Sequence, residues 1–193
     1  FDISSKIKKK YKDKIHVVGS PHKNSKKFIN KKIKDNNIFT ISIFGGSQGS
    51  EFISNFSVNL IKLIESEKII TTQYIFQCPE NIIKKVSSSL KNLSTKVIIK
   101  EYFNNIDEIL NKTSVAISRA GAGFISDSIY YKVPSVLIPL PTSKDNHQFH
   151  NASIMHDHKV AVMISQKNCD LNEVKKYIYD IYKNSNKIEL INK

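Results

Sequence analysis

The chain has 193 residues, 40% of them hydrophobic, and a formal net charge of +13 at pH 7. This length suffices for one domain with a sizeable core. No apolar run has the length of a membrane span, and the chain does not open with a secretory signal pattern. Because it does not begin with methionine, we expect a fragment or a processed product.

The positive charge comes almost entirely from lysines, which are concentrated near the start of the chain. A basic surface of this kind suits nucleic acid or anionic lipid. A codon bias toward A/T explains it equally well, because Ile, Lys, Asn and Ser are all abundant. Arg119 is the only arginine, which favours a role that lysine cannot fill. Cys78 and Cys169 match no metal or redox spacing and are interpreted as ordinary thiols of a reducing compartment.

The first part of the chain is polar and basic. Residues 1–14 are charged and weakly periodic, and we interpret them as a linker before a domain of residues 15–193. Residues 15–18 are predicted to form a short strand, followed by a turn at 19–21. Apolar residues at helical spacing predict a short surface helix over residues 24–34.

Two glycine turns follow buried strands. The β-branched and aromatic run 39–44 predicts a strand, and Gly-Gly-Ser-Gln-Gly at 45–49 connects it to a helix. A second strand, 115–118, leads through Arg119 and the small residues 120–123 into a helix that begins at about Ala122. Such turns direct backbone N–H groups and a helix N-terminus at one point, which suits a phosphate. Taken alone each turn is a weak signal, because glycine also simply fits a tight bend.

Strands and helices alternate throughout the rest of the chain. The further predicted strands are 73–77, 96–99, 135–138 and 160–164. The further predicted helices are 80–93, 105–111, 122–131, one beginning near Asp145, and 171–182. This alternation predicts an α/β, Rossmann-like, doubly wound domain with a mainly parallel sheet and helices on both faces. Ligands of such sheets bind at the carboxyl ends of the strands, where both glycine turns lie.

Four motifs occur together in one order: Val-Val-Gly-Ser-Pro at 17–21, Gly-Gly-Ser-Gln-Gly at 45–49, Ser-Arg-Ala-Gly-Ala at 118–122, and Lys-Asp-Asn-His-Gln with Asn-Ala within 144–152. With them the chain resembles the C-terminal domain of the MurG glycosyltransferases of family 28, from about Val17 to Ile164. The resemblance implies the donor-binding, C-terminal half of a GT-B enzyme, with the N-terminal acceptor domain absent from this chain. It also implies inverting transfer of N-acetylglucosamine (GlcNAc) from UDP-GlcNAc to the C4 hydroxyl of undecaprenyl-pyrophosphoryl-MurNAc-pentapeptide. This is the lipid I to lipid II step of peptidoglycan synthesis.

The resemblance also implies roles for single residues. Lys23 matches an arginine near the phosphates, and Phe103 matches a residue whose backbone reads uracil. Asp127 matches a glutamate that bonds both ribose hydroxyls, and His147 and Gln148 match the polar pair that holds the sugar hydroxyls. The implied UDP-GlcNAc site consists of Lys23, Ser47, Gln48, Phe103, Arg119, Ala122, Gly123, Phe124, Asp127, His147 and Gln148.

The same residues have simpler structural interpretations. Ser47 and Gln48 suit helix capping, Phe103 suits core packing, and Asp127 suits a solvated helix carboxylate. Arg119 is expected either to tie the glycine turn to the sheet edge or to assist the diphosphate. Family members carry a hydroxyl residue where this chain has Phe124.

No metal or other cofactor is expected, because helix N-termini and Lys23 supply the positive field for the leaving diphosphate. The general base is expected in the absent N-terminal domain. The implied partners are UDP-GlcNAc, a polyprenyl-linked acceptor reached through that domain, and an anionic membrane surface, but not nucleic acid. The implied location is cytoplasmic, peripheral on the inner face of the cell membrane.

Two alternative functions remain at this stage. One is the catalytic subunit of a naturally split UDP-GlcNAc transferase that acts on another polyprenyl-linked sugar. The other is a basic module that binds RNA or anionic lipid. The second is disfavoured because the aromatic residues fall on apolar faces and do not interleave with the lysines.

Overall fold

The computed structural model describes residues 38–45 and 51–184. Several predictions lie outside the described residues: the linker, the strand at 15–18, the helix at 24–34, and the site residues Lys23, Ser47 and Gln48. The domain boundaries drawn from the sequence therefore stay a prediction.

Six strands form one sheet in which every neighbouring pair is parallel. They are β1 (Phe39–Phe44), β2 (Thr72–Gln77), β3 (Lys96–Lys100), β4 (Val115–Ser118), β5 (Ser135–Leu137) and β6 (Ala161–Met163). Their order across the sheet is β3-β2-β1-β4-β5-β6. The predicted Rossmann-like, doubly wound architecture is confirmed, since this is the strand order of that fold.

Six α-helices connect the strands. They are α1 (Glu51–Glu67), α2 (Glu80–Leu90), α3 (Ile106–Lys112), α4 (Ala122–Tyr130), α5 (His147–Asp157) and α6 (Leu171–Lys183). Single 3₁₀ turns occur at Lys144–Asn146 and Gln166–Asn168. No helix in the described part of the chain is long and apolar enough to span a bilayer.

Helices cover both faces of the sheet, and neighbouring strand residues point to opposite faces. Ile41 and Ile43 of β1 join a core cluster with residues of α1, α2 and α6. Phe44, the next residue, belongs to a second cluster with Leu110 of α3 and the partly buried Phe124 of α4. A third, smaller cluster joins α4 and α5 to β5 and β6. The helices are thus divided between the two faces, as predicted.

Two predicted helix boundaries were wrong. Helix α5 begins at His147 and not near Asp145, because Asp145 (φ 51°) and Asn146 (φ 52°) have left-handed backbone conformations. Helix α2 ends at Leu90 and not at Leu93, where the chain turns and Leu93 N donates to Leu90 O at 3.2 Å. Asp and Asn accept left-handed geometry more readily than other non-glycine residues, but the sequence pattern does not show that they adopt it.

Candidate functional site

The connections of the sheet diverge between β1 and β4. From β1 the chain continues outward through β2 to β3, and it then crosses to β4 and continues through β5 to β6. Phe44, Ser118 and Leu137 are in register, so β1, β4 and β5 end side by side. The carboxyl ends of these strands therefore lie at one edge of the sheet. This topological switch point is where doubly wound sheets bind their ligands.

The second glycine turn leaves open space at this edge. Gly121 precedes α4 with φ −69° and ψ 147°, a conformation that any residue can adopt. A Cβ built on Gly121 or Gly123 would meet no heavy atom within 4 Å in the described structure. Among the described residues, neither backbone conformation nor packing requires glycine at these two positions, and their missing side chains leave space there.

Helix α4 presents its N-terminus to that space. Its first intrahelical bond runs from Ile125 N to Gly121 O, at 3.0 Å. The N–H groups of Ala122, Gly123 and Phe124 therefore lack an acceptor within the helix. Ala122 and Gly123 are exposed. Together with the helix dipole, these donors form a favourable position for an anion.

Arg119 fixes the turn to the neighbouring strand. The residue is 8% exposed, and its Nη1 donates to the carbonyl oxygens of Ile138 (3.0 Å) and Pro139 (3.2 Å). Its Cζ lies 5.9 Å from the centre of the Phe52 ring in α1. Burial lowers the pKa of Arg119 from its ordinary value. These contacts tie the end of β4 to the end of β5, whereas a role of Arg119 toward a diphosphate stays a prediction.

His147 and Gln148 hold the loop between β5 and α5. His147 Nδ1 lies 2.7 Å from Lys144 O. Gln148 Oε1 accepts a hydrogen bond from Leu140 N at 3.0 Å, a bond that does not involve the NH₂ group of that side chain. Both side chains are half-buried in the first turn of α5. Their predicted contacts with sugar hydroxyls stay a prediction.

Asn151 connects α5 to the second glycine turn. Its Nδ2 donates to Ala120 O at 3.0 Å, across 31 positions of sequence. The sequence analysis noted Asn151 only as part of a motif and gave it no role. The sequence shows only an amide side chain next to Ala152 in a predicted helix. No local pattern indicates that it bonds Ala120, 31 residues earlier.

Phe124 anchors the first turn of α4 against β1. Its half-buried ring lies 5.7 Å from the Phe44 ring, measured between ring centres. The side chain therefore packs against the end of β1. The backbone N–H of Phe124 still belongs to the open N-terminus.

Asp127 follows Gly123 by four residues, which places the two on the same side of α4. It is half-buried. The nearby Tyr131 has a raised pKa, first because it is buried, then because its side chain bonds Asp107, with further contributions from nearby charges that include Asp127. Asp127 is thus a carboxylate in a partly buried position behind the glycine turn.

Phe103 lies in the loop after β3, at the same edge of the sheet. It packs against the cluster that contains Phe44 and Leu110, and Lys100 Nζ lies 5.8 Å from the centre of its ring. The side chain is thus packed against the core. The predicted contact with uracil concerns its backbone and stays a prediction.

The structure brings most described candidates to one edge. Arg119, Ala122, Gly123 and Phe124 follow β4, and His147 and Gln148 follow β5. Phe103 follows β3, which lies two strands away from β1. Among the described residues, no group of three or more His, Cys, Asp or Glu side chains is arranged to hold a metal ion.

The sequence matches the family described as the glycosyltransferase family 28 C-terminal domain over residues 40–193. The UDP-N-acetylglucosamine--N-acetylmuramyl-(pentapeptide) pyrophosphoryl-undecaprenol N-acetylglucosamine transferase of Rickettsia prowazekii (strain Madrid E) is 32% identical over 161 residues, which are 83% of this chain and 42% of that protein. The transferase of the same name from Rickettsia bellii (strain RML369-C) is 31% identical over 152 residues, 78% of this chain and 43% of that protein. The chain thus spans less than half the length of these curated relatives.

Solved structures share the fold. MurG from Acinetobacter baumannii superposes with a TM-score of 0.72 at 19% identity, covering 83% of this chain and 46% of that chain. The glycosyltransferase VinC, solved in complex with dTDP, gives a TM-score of 0.57 at 10% identity over 81% of this chain and 36% of that chain. The chain therefore belongs to glycosyltransferase family 28, and its fold is that of the C-terminal half of a GT-B glycosyltransferase.

Proposed function

We propose that this chain binds UDP-GlcNAc and forms the donor half of an N-acetylglucosaminyltransferase. The observation that carries the proposal is the open N-terminus of α4, with two glycines that packing does not explain, at the switch point between β1 and β4. The relatives from Rickettsia are transferases whose names specify N-acetylglucosamine, and this supports the choice of sugar.

In this proposal the site recognises each part of the donor with a different element. The diphosphate lies against the N–H groups of Ala122 to Phe124, where the helix dipole favours negative charge. Asp127, further along α4, accepts hydrogen bonds from the ribose hydroxyls, since one carboxylate has acceptor capacity for both. The backbone of Phe103 contacts uracil, and His147 and Gln148 in the first turn of α5 contact the hexose.

The proposed reaction inverts the anomeric centre. The C4 hydroxyl of the acceptor attacks the anomeric carbon, the bond from that carbon to the UDP oxygen breaks, and a general base takes the hydroxyl proton. Negative charge grows on the departing diphosphate, so donors already directed at it stabilise the transition state more than the ground state. The charged Arg119, held at the same edge, adds positive potential. The base belongs to the other half of the enzyme, so this chain alone is expected to bind donor and turn over poorly.

The acceptor and the location are the less direct parts of the proposal. The names of the relatives support an undecaprenyl-linked muramyl pentapeptide over another polyprenyl-linked sugar. An acceptor with a polyprenyl chain is held in a bilayer, so we expect peripheral attachment at the cytoplasmic face of the membrane. The net charge of +13 favours an anionic surface there.

Calorimetric titration of the chain with UDP, UDP-GlcNAc, UDP-GalNAc and UDP-glucose tests the proposal. We expect binding of all four, with UDP-GlcNAc preferred among the sugar nucleotides. The proposal would be contradicted if the chain did not bind UDP and instead bound RNA with an affinity that falls steeply with salt. That result would favour the basic-module alternative.

A further inference from the structure

No strand of the described residues covers the β3 edge of the sheet. Strand β3 has five residues, whereas β6 at the opposite edge has three. Lys100 O accepts a hydrogen bond from Cys78 N at 3.1 Å, so the backbone groups of Lys96, Ile98 and Lys100 face β2. By alternation, the N–H and C=O groups of Val97 and Ile99 face outward, and no described strand pairs with them.

A groove of about 390 Å³ runs beside this edge, between β3 and α2. Its lining is mixed: Leu90, Leu93, Val97 and Ile99 are apolar, and Ser87, Lys91 and Thr95 are polar. Side chains alternate along a strand, so Lys96 and Lys100 project from the face opposite the groove. Both lysines are exposed. Within the described part of the chain, the edge thus offers outward backbone groups without a strand partner, a groove with four apolar side chains on one face, and two positive charges on the other.

A second copy of the chain is a poor occupant of this edge. Two copies could pair antiparallel through their β3 edges. The N–H and C=O groups of Val97 and Ile99 are then all bonded only if Val97 of one copy lies opposite Ile99 of the other. That register places Lys96 of each copy directly opposite Lys100 of the other, and like charges in such pairs are destabilising. Exposed lysines are a common means by which edge strands avoid self-association. The same charges favour a strand with carboxylates at those positions.

We propose that the β3 edge pairs, antiparallel, with an extended segment of a protein partner that reads acidic, apolar, any residue, apolar, acidic. The two acidic residues lie opposite Lys100 and Lys96, and the two apolar residues enter the groove beside Leu90 and Leu93. Antiparallel pairing is chosen because it is slightly more stable per residue than parallel pairing. Main-chain hydrogen bonds supply affinity in this mode of recognition, and the alternating side chains supply specificity. This surface adjoins the proposed donor site at Lys100, whose Nζ lies 5.8 Å from the centre of the Phe103 ring, whereas its outward backbone groups belong to Val97 and Ile99.

The test uses the ¹⁵N-labelled full chain, titrated with a peptide whose central residues are Glu-Val-Thr-Val-Glu and followed through the amide signals of Val97 and Ile99. We expect saturable shifts of these signals, unaffected by saturating UDP. A peptide with both glutamates replaced by lysine should bind about tenfold more weakly, because two cross-strand pairs become repulsive. Equal binding of the two peptides would overturn the proposal.

Charge reversal on the protein tests the register. Lys96→Glu should weaken binding of the Glu-Val-Thr-Val-Glu peptide several-fold, whereas Lys84→Glu on the exposed side of α2 should not. A peptide with only its C-terminal glutamate changed to lysine should restore affinity for Lys96→Glu. Rescue by the peptide changed at its N-terminal glutamate would overturn the antiparallel arrangement.

N-methylated peptides test strand pairing without altering the protein. Methylating both valine nitrogens removes the two peptide donors that face Val97 and Ile99, and we expect at least about a tenfold loss of affinity. Methylating the threonine nitrogen, which faces away from β3, should be tolerated. Equal effects of the two modifications, displacement of the peptide by RNA, or self-association of the chain through β3 would each overturn the proposal.

Discussion

Arg119 illustrates how far a single residue can be interpreted from sequence. Its uniqueness in a lysine-rich chain predicts a role that depends on a guanidinium. In the structure one guanidinium nitrogen bonds two carbonyl oxygens while the group lies over the Phe52 ring. Composition thus singled out this residue, whereas its dependence on a guanidinium stays a prediction. Its partners Ile138 and Pro139 could not be predicted, because they are defined by which strand lies beside β4.

Asp127 is the residue whose proposed role is most directly testable. We predict that Asp127→Asn weakens UDP binding by about 1–3 kcal/mol, because a neutral amide replaces a charged acceptor of the ribose hydroxyls. Calorimetry with UDP measures the loss. Asp157→Asn, at the exposed end of α5, is the matched control and should bind UDP as the unaltered chain does. Unchanged affinity in a folded Asp127→Asn variant would remove Asp127 from the site.

Gln148 is proposed to recognise the sugar and is also a support of the loop. We predict that Gln148→Ala reduces the preference for UDP-GlcNAc over UDP-GalNAc and leaves the affinity for UDP nearly unchanged. The reason is that a site built to bond one hydroxyl discriminates strongly against its epimer. Titrations with the three nucleotides measure both quantities.

The structure supplies the competing explanation for that variant. Gln148 Oε1 bonds Leu140 N, and removing the side chain also frees that backbone donor. If UDP and UDP-GlcNAc lost affinity equally, the residue would act by shaping the loop and not by reading the sugar.

At the scale of elements, apolar patterns together with glycine, proline and polar turn signals predicted the six strands and six α-helices of the described region, but not its two 3₁₀ turns. Strand β1 is an example: its β-branched run binds both core clusters through alternate residues. The start of α5 was wrong because left-handed Asp145 and Asn146 precede it. Their geometry depends on bonds within the loop, such as Asn146 N to Ser143 O at 3.0 Å, which periodicity does not encode.

The N-terminus of α4 gives a prediction in which stability and binding change independently. Gly121→Ala fits the observed φ and ψ, and its added methyl group meets no described atom within 4 Å. We expect the free energy of unfolding to stay constant or rise by about 0.4–1 kcal/mol, because alanine restricts the unfolded chain. UDP affinity should fall, because the methyl group occupies the space proposed for the diphosphate. Chemical denaturation and calorimetry measure the two effects, and undiminished UDP affinity would show that the space is not the phosphate site.

Helices α1 and α6 are joined by a pH-dependent contact. Glu67 bonds Lys175 and Tyr179, and these hydrogen bonds, the one from Lys175 first, lower the pKa of Glu67 from its ordinary value. Because the pKa of Glu67 is lower in the folded state, its ionised carboxylate stabilises the fold at pH values above the ordinary glutamate pKa. This stabilisation is lost as the pH falls through the lowered pKa of the folded state. We predict that Glu67→Gln lowers the Tm at pH 7 and that the difference from the unaltered chain disappears in acid.

Thermal denaturation across this pH range measures the effect. Glu101→Gln, at an exposed carboxylate outside the helices, is the control and should show a much smaller difference at pH 7. A deficit of Glu67→Gln that persisted unchanged below the ordinary glutamate pKa would show that packing, and not charge, joins the two helices.

For the whole molecule, the strand order β3-β2-β1-β4-β5-β6 determines where a ligand can bind. Alternation of strands and helices predicted a parallel sheet and the edge at which ligands lie. It did not predict that β1 and β4 are neighbours, because strand order is set by which faces the connecting helices cover. Only that adjacency places Gly45, which follows β1, beside the turn that follows β4.

The last prediction concerns how the domain neutralises the negative charge of the donor diphosphate. Among the described residues, no cluster of His, Cys, Asp or Glu side chains is arranged to bind a metal, whereas the N–H groups of α4 and the buried Arg119 lie at the carboxyl edge of β4. Helix N-termini and a guanidinium neutralise a diphosphate without an ion. We therefore predict that UDP-GlcNAc binds with the same affinity in EDTA as in magnesium, measured by calorimetry after exhaustive chelation, with a magnesium-dependent UDP-sugar transferase as the positive control. If EDTA abolished binding to this chain and magnesium restored it, the diphosphate would need a cation that the helix N-termini do not replace.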